Sequence, residues 1–275
     1  MSKYKLLAID MDRTLLNSAG ELSEINRRAL EKASCLGLII VPATGRARSA
    51  ITNEIVEAEY VRYMISSNGA VIYDKAQNQC IYRKCISREG IDSIWDYLKD
   101  TSFMKEYFFE GRPYTEQRYY DDMLKYGVTE IFLKLYINAR TPITDFETFL
   151  ADKKDQIEGI NFIFSDNDLR LSIWEQLNQN PNLEATTSLD FNLEIGACGM
   201  SKGTALEYLC EQLDIKSDEV IAFGDNDNDI SMIRFAGVGV AVENATENVK
   251  AVADYMTLTN DQDGVANMLT QVLEI

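Results

Sequence analysis

Two carboxylates, Asp10 and Asp12, stand one residue apart at the end of the apolar run "YKLLAI". A carboxylate can act as a nucleophile toward phosphorus, and a second carboxyl group nearby can carry a proton to or from the reacting atoms. The same pair could instead be solvated in a loop or cap the helix that follows. Taken alone, the spacing is compatible with both interpretations.

A second group of oxygen ligands lies in "GDNDNDISM", between the buried-strand run "EVIAFG" and an apolar helix. Its oxygen-bearing residues are Asp225, Asn226, Asp227, Asn228 and Asp229. Carboxylate oxygens bind hard cations, and a helix N-terminus favours anions nearby. A calcium loop of the EF-hand type is excluded, because Ile230 and Ala236 stand where that loop needs Gly and Glu.

Two further motifs could bind an anion. In "ATGR", Thr44 and Gly45 follow the apolar run "LIIVPA" and are predicted to lie at a helix start, where their donors suit a phosphate oxygen. Lys202 in "GMSKGTAL" is also predicted at a helix start, between small residues that let a ligand approach. That segment is not a Walker A loop, because the required spacing is missing.

Three of these positions come directly after a buried-strand run: Asp10, Thr44 and Asp225. In an open parallel sheet, ligands bind in the crevice beyond the carboxyl ends of the strands. We therefore expect the three side chains to converge if their strands are neighbours.

The residues that are missing limit the chemistry. The chain has no histidine, which excludes Ser-His-Asp and Cys-His catalysis, imidazole zinc sites and histidine phosphorelays. Its five cysteines form no CxxC pair, as expected of reduced thiols in a cytosolic protein. A metal site must then be built from oxygen atoms, which favours Mg²⁺, Mn²⁺ or Ca²⁺.

The net charge of −17 repels a phosphate backbone, so nucleic-acid binding is not expected. An anionic substrate would need local positive charge or a metal ion. No apolar run approaches the roughly 20 residues that span a bilayer, and the N-terminal residues do not resemble a signal peptide. We expect a soluble, cytoplasmic protein.

Hydrophobic periodicity predicts an α/β protein. The first quarter of the chain, and the part after Asp190 beginning with the strand "NLEI", alternate buried strands with helices, as around a Rossmann-like parallel sheet. Between them, aromatic runs such as "IFLKLYIN", "INFIFS" and "LSIW" are expected to form a sheet with one exposed face. We predict a core of residues 1–84 and 191–275 and an inserted α+β unit of residues 85–190.

The order of the motifs resembles the haloacid dehalogenase-like phosphohydrolases over essentially the whole chain. The matching segments are "AIDMDRTLLNS", "ATGR", "SSNGAVI", "LEIGACGMSKGTAL", "AFGDNDNDISMIRFAGVGVAVENA" and "DQDGVANML". The chain looks most like the Cof-type branch, in which a cap domain is inserted between the second and third motifs. The segment from Arg13 to Ile40 is too short for the cap of the helical branch, which includes the β-type sugar phosphomutases.

The resemblance implies roles for three catalytic residues. Asp10 would attack the phosphoryl group, and Asp12 would act as general acid and base. Lys202 would neutralise both the nucleophile and the phosphate.

The resemblance also implies a Mg²⁺ site and a set of phosphate contacts. The metal residues would be Asp10, Asp12 through its backbone carbonyl, Asp225, Asn226 as an assisting ligand, and Asp229 as a support beyond the direct ligands. The phosphate would be held by the Met11 backbone N–H, Thr44, Gly45, Lys202 and Asn228.

The chain departs from the family pattern at two places. Arg13 stands where the family usually has Gly, and "EIGACGMSKG" lacks a usual Pro. We predict that Arg13 has an ordinary helical-turn conformation, without a positive φ, and that its side chain points outward. An electrostatic role at the mouth of the site and the role of a plain surface arginine are both open.

The function implied is a Mg²⁺-dependent phosphatase of small phosphorylated metabolites, sugar phosphates among them, that works through an aspartyl-phosphate on Asp10. The inserted unit would select the substrate, with Glu110, Arg112, Tyr114 and Arg118 as candidate contacts. Two alternatives are a sugar phosphomutase of the same fold and a non-catalytic regulator that binds phosphorylated metabolites. We expect a monomer or weak homo-oligomer, with no nucleic-acid or membrane partner.

Overall fold

The computed structural model describes residues 3–273, without the side chain of residue 131. The strands are β1 (Leu6–Ile9), β2 (Ile39–Pro42), β3 (Tyr63–Ser66), β4 (Val71–Asp74), β5 (Gln79–Arg83), β6 (Met104–Phe109), β7 (Arg112–Glu116), β8 (Thr141–Ile143), β9 (Gly159–Ile163), β10 (Leu183–Thr186), β11 (Asn192–Ala197), β12 (Val220–Gly224), β13 (Val238–Val242) and β14 (Tyr255–Thr257). The helices are α1 (Glu24–Cys35), α2 (Asn53–Glu57), α3 (Arg88–Ser93), α4 (Trp95–Lys99), α5 (Gln117–Tyr120), α6 (Glu130–Ala139), α7 (Phe146–Lys153), α8 (Asn167–Leu177), α9 (Lys202–Leu213), α10 (Ile230–Phe235), α11 (Glu247–Lys250) and α12 (Gly264–Leu273).

Two compact units share this chain. The first comprises the described parts of Met1–Thr44, Thr52–Tyr82 and Ser201–Ile275, and the second comprises Gly45–Ile51 and Arg83–Met200. No helix among the described residues is both long and apolar enough to cross a membrane.

The first unit is built on a five-stranded sheet in the order β14-β13-β12-β1-β2. All of its strand pairs are parallel, with Ile9 opposite Phe223 on one side and Pro42 on the other. β1, β12 and β13 are buried along their whole length, as continuous Val, Ile, Leu and Ala runs in a parallel sheet require. A smaller sheet of β3, β4 and β5 belongs to the same unit.

Side-chain caps fix the starts of α1 and α9 in the first unit. The Ser23 side chain accepts a hydrogen bond from the Asn26 backbone at the start of α1. Ser201 and Thr204 form a reciprocal capping box at the start of α9, which satisfies donors that a helix end leaves unpaired. The box sets the first residue of α9, Lys202, at a defined place in the fold.

The second unit has a six-stranded, mainly antiparallel sheet in the order β10-β11-β9-β6-β7-β8. Its core is aromatic, with Phe103, Phe162 and Phe164 packed ring against ring. The α/β class with a Rossmann-like sheet and a further α+β unit is therefore confirmed.

Some elements differ from the sequence-based predictions. We expected "IFLKLYIN" and "LSIW" to be strands, but they lie in helices α6 and α8. The prediction failed because a short apolar run does not distinguish a strand from a helix. At the start of α8, the Asp166 side chain accepts hydrogen bonds from the backbone N–H groups of Asp168 and Leu169. The strand containing "NLEI" pairs with β9 and β10 in the sheet of the second unit, whereas we placed it in the core. Residues 45 and 46 form a bend, so no helix starts at Thr44 and Gly45; the next helical turn begins at Arg48.

Candidate active site

The ends of three adjacent strands define the candidate site. β1 lies between β12 and β2, and all three run parallel, so their carboxyl ends meet at one edge of the sheet. Asp10, Thr44 and Asp225 follow these ends, and all three are buried. The three strands are neighbours, which is the condition under which we expected these side chains to converge.

Lys202 is the cation at the centre of this edge. Its Nζ donates to Asp10 Oδ1 at 2.5 Å and to Asp229 Oδ1 at 2.7 Å, and its side chain is fully buried. Burial alone would lower the pKa of Lys202, but the two carboxylates outweigh that effect and raise it. Lys202 is therefore held as a permanent ammonium that orients one oxygen of Asp10.

Asp229 links Lys202 to the loop after β12. Its Oδ2 accepts hydrogen bonds from the backbone N–H groups of Asp225 at 3.0 Å and Asn226 at 3.1 Å. Gly224 is required here, since a Cβ at that position would lie 2.4 Å from the Cβ of Asp229. Both oxygens of Asp229 are thus engaged with protein donors, which suits the supporting role implied for it.

Asp225 is held by Thr14, whose hydroxyl donates to Asp225 Oδ1 at 3.0 Å. Burial, followed by the charge of Asp229, raises the pKa of Asp225 to about 7, although the Thr14 hydrogen bond opposes this. Burial and Asp229 likewise raise the pKa of Asp10, beyond what Lys202 compensates. The cause is a surplus of buried negative charge.

The surplus of buried negative charge indicates whether a divalent cation fits this site. Oxygens of Asp10, Asp225 and Asp229 lie within 4.8 Å of one another, and Lys202 is the one fully buried cation among the described residues beside them. Clustered carboxylates are costly unless a cation balances them, and an all-oxygen donor set suits Mg²⁺. The residues present fit a Mg²⁺ ion.

The prediction for Arg13 was wrong. Its φ is 62°, in the left-handed region, because the chain reverses within the turn Met11–Leu15 and the Arg13 carbonyl accepts from Asn244 Nδ2 at 2.8 Å. The side chain is about half exposed, but its Nε lies 3.8 Å from Asp225 Oδ2. The family's glycine is thus explained by this φ, and here an arginine tolerates it at a cost of roughly 1–2 kcal/mol.

The predicted phosphate contacts are distributed as follows. The Thr44 backbone N–H donates to the Ile65 carbonyl at 2.9 Å, so a phosphate contact from Thr44 would have to come from its hydroxyl. Met11 has a fully buried side chain beside Asp10, and Asp12 is half-buried in the same turn. Gly45 is half-buried and belongs to the second unit.

Three side chains of the Asp/Asn segment after β12 have different partners. Asp227 accepts from Thr246 Oγ1 and Asn248 Nδ2, both at 3.0 Å, so it braces the start of α11 instead of the carboxylate cluster. The Asn226 side chain accepts from the Asp227 backbone N–H at 2.8 Å. The Asn228 side chain contacts the turn between β3 and β4, where its Nδ2 donates to Asn68 Oδ1 at 3.0 Å.

Sequence reasoning missed two residues that contact the site. Thr14 was visible as the Thr of "DMDRT" but was given no role, and its side chain binds Asp225. Asn68 lies in the matching segment "SSNGAVI" but was given no role, and its partner Asn228 is 160 residues away in the sequence. A turn motif in one sequence does not reveal such a partner.

The candidate substrate contacts lie in the second unit. Arg118 forms an ion pair with Glu116, and the Tyr114 ring packs 5.2 Å from the Phe149 ring. Arg112 and Glu110 are exposed. Tyr114 is thus largely accounted for by core packing, and the other roles stay predictions.

Comparisons with known proteins agree with this geometry. A family model described as haloacid dehalogenase-like hydrolase matches residues 7–269. The chain is 33% identical over 286 residues to Phosphatase YwpJ of Bacillus subtilis, covering 98% of this chain and 100% of that protein. It is also 33% identical over 267 residues to the 5-amino-6-(5-phospho-D-ribitylamino)uracil phosphatase YcsE of Bacillus subtilis, covering 96% and 94% of the two chains.

Among solved structures, the chain is similar to BT4131, described as a sugar phosphatase of subclass IIB of this superfamily. The TM-score is 0.83 at 26% identity, covering 98% of this chain and 100% of that one. The similarity therefore extends over both units and over every motif described above. The chain belongs to the haloacid dehalogenase-like hydrolase family, in its Cof-type branch, and it is a phosphatase.

Proposed function

We propose that this phosphatase is Mg²⁺-dependent, hydrolyses small phosphorylated metabolites and works through an aspartyl-phosphate on Asp10. The observation that carries the proposal is the bond from Lys202 to Asp10, deep in a cluster of carboxylates at the carboxyl ends of the strands. A buried carboxylate oriented by a fixed ammonium is suited to nucleophilic attack.

The first step forms a bond between a carboxylate oxygen of Asp10 and phosphorus and breaks the bond from phosphorus to the leaving oxygen. Asp12 donates the proton that the leaving alcohol needs. In the second step Asp12 takes a proton from water, the water oxygen attacks phosphorus, and Asp10 leaves as a carboxylate with release of inorganic phosphate. The half-buried position of Asp12, in the same turn as Asp10, supports this division of roles.

The residues that would hold Mg²⁺ are Asp10, Asp225 and the backbone carbonyl of Asp12, with Asn226 assisting. Asp229 would support them indirectly, since its oxygens already accept from Lys202 and two backbone N–H groups. The ion would supply charge neutralisation for the buried carboxylates and the phosphoryl oxygens. Lys202, the Met11 and Gly45 backbone N–H groups, the Thr44 hydroxyl and Asn228 would bind the phosphate.

The substrate class is the least constrained part of the proposal. BT4131 is described as a sugar phosphatase, whereas YcsE acts on a phosphorylated ribitylaminouracil. A sugar phosphate and a phosphorylated ribitylaminouracil are both small phosphorylated compounds that carry hydroxyl groups. We propose a substrate of that class, with sugar phosphates first, selected by residues 85–190 acting as a cap.

The test is phosphate release from a panel of phosphorylated metabolites with Mg²⁺ or with a chelator. We expect hydrolysis only with the cation, and a loss of about 10³-fold or more in Asp10→Asn, because the nucleophile is removed. Asp227→Asn is the matched control, since Asp227 binds only α11 and its neighbours, and it should keep activity within a few-fold. Sugar-phosphate isomerisation without phosphate release would instead indicate a phosphomutase, and hydrolysis surviving Asp10→Asn would refute the assigned nucleophile.

A further inference from the structure

The turn Ser67–Gly69, between β3 and β4, has three successive residues in the left-handed region. The φ values are 50° for Ser67, 54° for Asn68 and 97° for Gly69. An Asn-Gly pair is common in such turns, but Ser is a poor residue for this conformation and costs roughly 1–2 kcal/mol there. Backbone held in this region by its surroundings is a recurrent feature of functional sites.

Asn68 and Gly69 of this turn are fixed by their surroundings. The Asn68 backbone N–H donates to the Thr44 carbonyl at 3.1 Å. At Gly69, a Cβ would lie 2.1 Å from the Ser201 carbonyl oxygen, so only glycine allows the turn to lie against the start of α9. Ser67 is buried, and its hydroxyl has no hydrogen-bond partner within residues 3–273.

The Asn68 side chain contacts the Asp/Asn segment that follows β12. It is buried, and its Oδ1 accepts from Nδ2 of Asn228 at 3.0 Å. One residue therefore joins Thr44 by its backbone to Asn228 by its side chain, and its neighbour Gly69 abuts the residue before Lys202. A hairpin turn needs none of these contacts.

We propose that Asn68 is a positioning residue for the substrate phosphate, and that it acts by fixing the Asn228 carboxamide. The inference rests on the proposed phosphate contact of Asn228. With one N–H of Nδ2 committed to Asn68, the second N–H of the same group has a fixed direction. A planar amide held at one end loses little further rotational freedom when it binds a phosphoryl oxygen, so affinity for phosphate is increased.

The experiment combines Asn68→Gly, Asn228→Ala and the double variant in one cycle. Asn68→Gly removes the carboxamide and leaves the positive φ favourable, so the turn is preserved. Asn78→Gly is the matched control, because Asn78 has a φ of 53° in the exposed turn between β4 and β5. Thermal unfolding of each variant checks that the fold is intact.

The first readout is calorimetric titration of inorganic phosphate in the presence of Mg²⁺. We expect each single variant to weaken phosphate binding by about tenfold and the double variant by no more than either single one. Asn78→Gly should leave binding unchanged. Multiplying effects, near a hundredfold in the double variant, would show that Asn68 does not act through Asn228 and would overturn the proposal.

The second readout is steady-state hydrolysis of p-nitrophenyl phosphate. Because the contact is made both before and during phosphoryl transfer, we expect Asn68→Gly to raise KM about tenfold while kcat changes less than about threefold. A fall in kcat without a change in KM would contradict a role in phosphate positioning.

The two readouts separate this inference from the proposed function. Coupled phosphate binding in a protein that hydrolyses none of the tested substrates would refute the proposed function alone. Mg²⁺-dependent hydrolysis with uncoupled variants would refute only the role of Asn68. A wild-type protein that hydrolyses substrates but binds no inorganic phosphate would refute only the role of Asn68. One that neither binds phosphate nor hydrolyses any tested substrate would refute both.

Discussion

Two fully buried lysines, one in each unit, have opposite surroundings. Lys202 in the first unit is bonded to the carboxylates of Asp10 and Asp229, which raise its pKa. Lys105 in the second unit donates to the carbonyls of Asp100 and Phe103 and to the Tyr119 hydroxyl at 2.8 Å. Burial without a bonded carboxylate lowers the pKa of Lys105 to about 8.

The contrast separates a lysine with charged partners, as the role proposed for Lys202 requires, from one with neutral partners in a core. Lys202 is kept charged at every accessible pH and compensates carboxylates that would otherwise repel one another. Lys105 is charged at neutral pH at a cost, and two of its partners would stay paired without it, since the Tyr119 hydroxyl also donates to the Asp100 carbonyl at 3.3 Å. Burial of a lysine therefore indicates function only when its partners are charged.

The largest expected effect comes from replacing each lysine with methionine. Lys202→Met leaves buried carboxylates uncompensated and should lower the free energy of unfolding by about 3–5 kcal/mol. Lys105→Met removes neutral hydrogen bonds and should cost about 1 kcal/mol. Urea unfolding at pH 7 measures both, and equal losses would refute the comparison.

Mg²⁺ should stabilise the protein more at pH 8 than at about pH 5.5. The raised pKa of Asp225, about 7, gives stability that is present at low pH and is lost as the pH rises from about 4 through 7. Above that pH the ionised cluster is free to bind the cation. We expect an increase in Tm of about 5 °C with Mg²⁺ at pH 8 and less than half of that at pH 5.5.

Asp225→Asn is the control for this experiment. It keeps an oxygen for the Thr14 hydrogen bond but removes the titrating group, so the pH dependence of the Mg²⁺ effect should shrink. An equal Tm increase at both pH values in the wild-type protein would show that protons and the cation do not compete at this site.

Lys105 should produce a pH effect of the opposite sign. Burial lowers the pKa of Lys105 in the folded protein to about 8, below its ordinary value of 10.5, so the unfolded chain binds more protons between these pH values and stability rises with pH. The free energy of unfolding of the wild type relative to Lys105→Met should increase by about 2 kcal/mol from pH 7 to pH 9.5. Paired urea titrations at the two pH values measure this, and a flat difference would show that Lys105 is not desolvated.

The smallest expected effect concerns Arg13. Arg13→Gly relieves the left-handed φ, which costs roughly 1–2 kcal/mol, and removes a half-exposed ion pair worth up to about 1 kcal/mol, so the two effects oppose each other. Stability should hardly change, while KM for an anionic substrate should rise about two- to threefold at low ionic strength and return to the wild-type value at high salt. Arg13→Lys, which keeps the charge, is the control; an unchanged KM at low salt in Arg13→Gly would leave Arg13 a surface residue.

The sequence allowed much of the site to be predicted, because polar residues at strand ends are informative. Asp10, Thr44 and Asp225 follow three buried runs, and parallel strands with neighbouring ends bring them together. The conformation of Arg13 was not predictable from residue type, since the turn after β1 imposes a φ that arginine rarely adopts. The bond between Asn68 and Asn228 depends on tertiary structure alone.

The same limit explains the errors in the second unit. The apolar run of α6 lacks a period that distinguishes a helix from a strand, and tertiary packing decided between them. β11 follows the predicted boundary at residue 190 but pairs with β9, because pairing partners are set by the whole sheet. The local hydrophobic pattern was a good predictor of which segments are buried and a poorer predictor of the segments they pair with.

The pairing of β1 with β12 has a consequence for the order in which the protein can form. Leu6 pairs with Val220, so one edge of the first strand stays unpaired until the ribosome has made the whole second unit, most of which is one continuous stretch, Arg83–Met200. That stretch can fold early, through contacts closer in sequence, whereas the sheet that carries Asp10 must wait for a partner distant in the chain. The edge of the sheet that carries the candidate active site is therefore among the last parts of the molecule to assemble during synthesis.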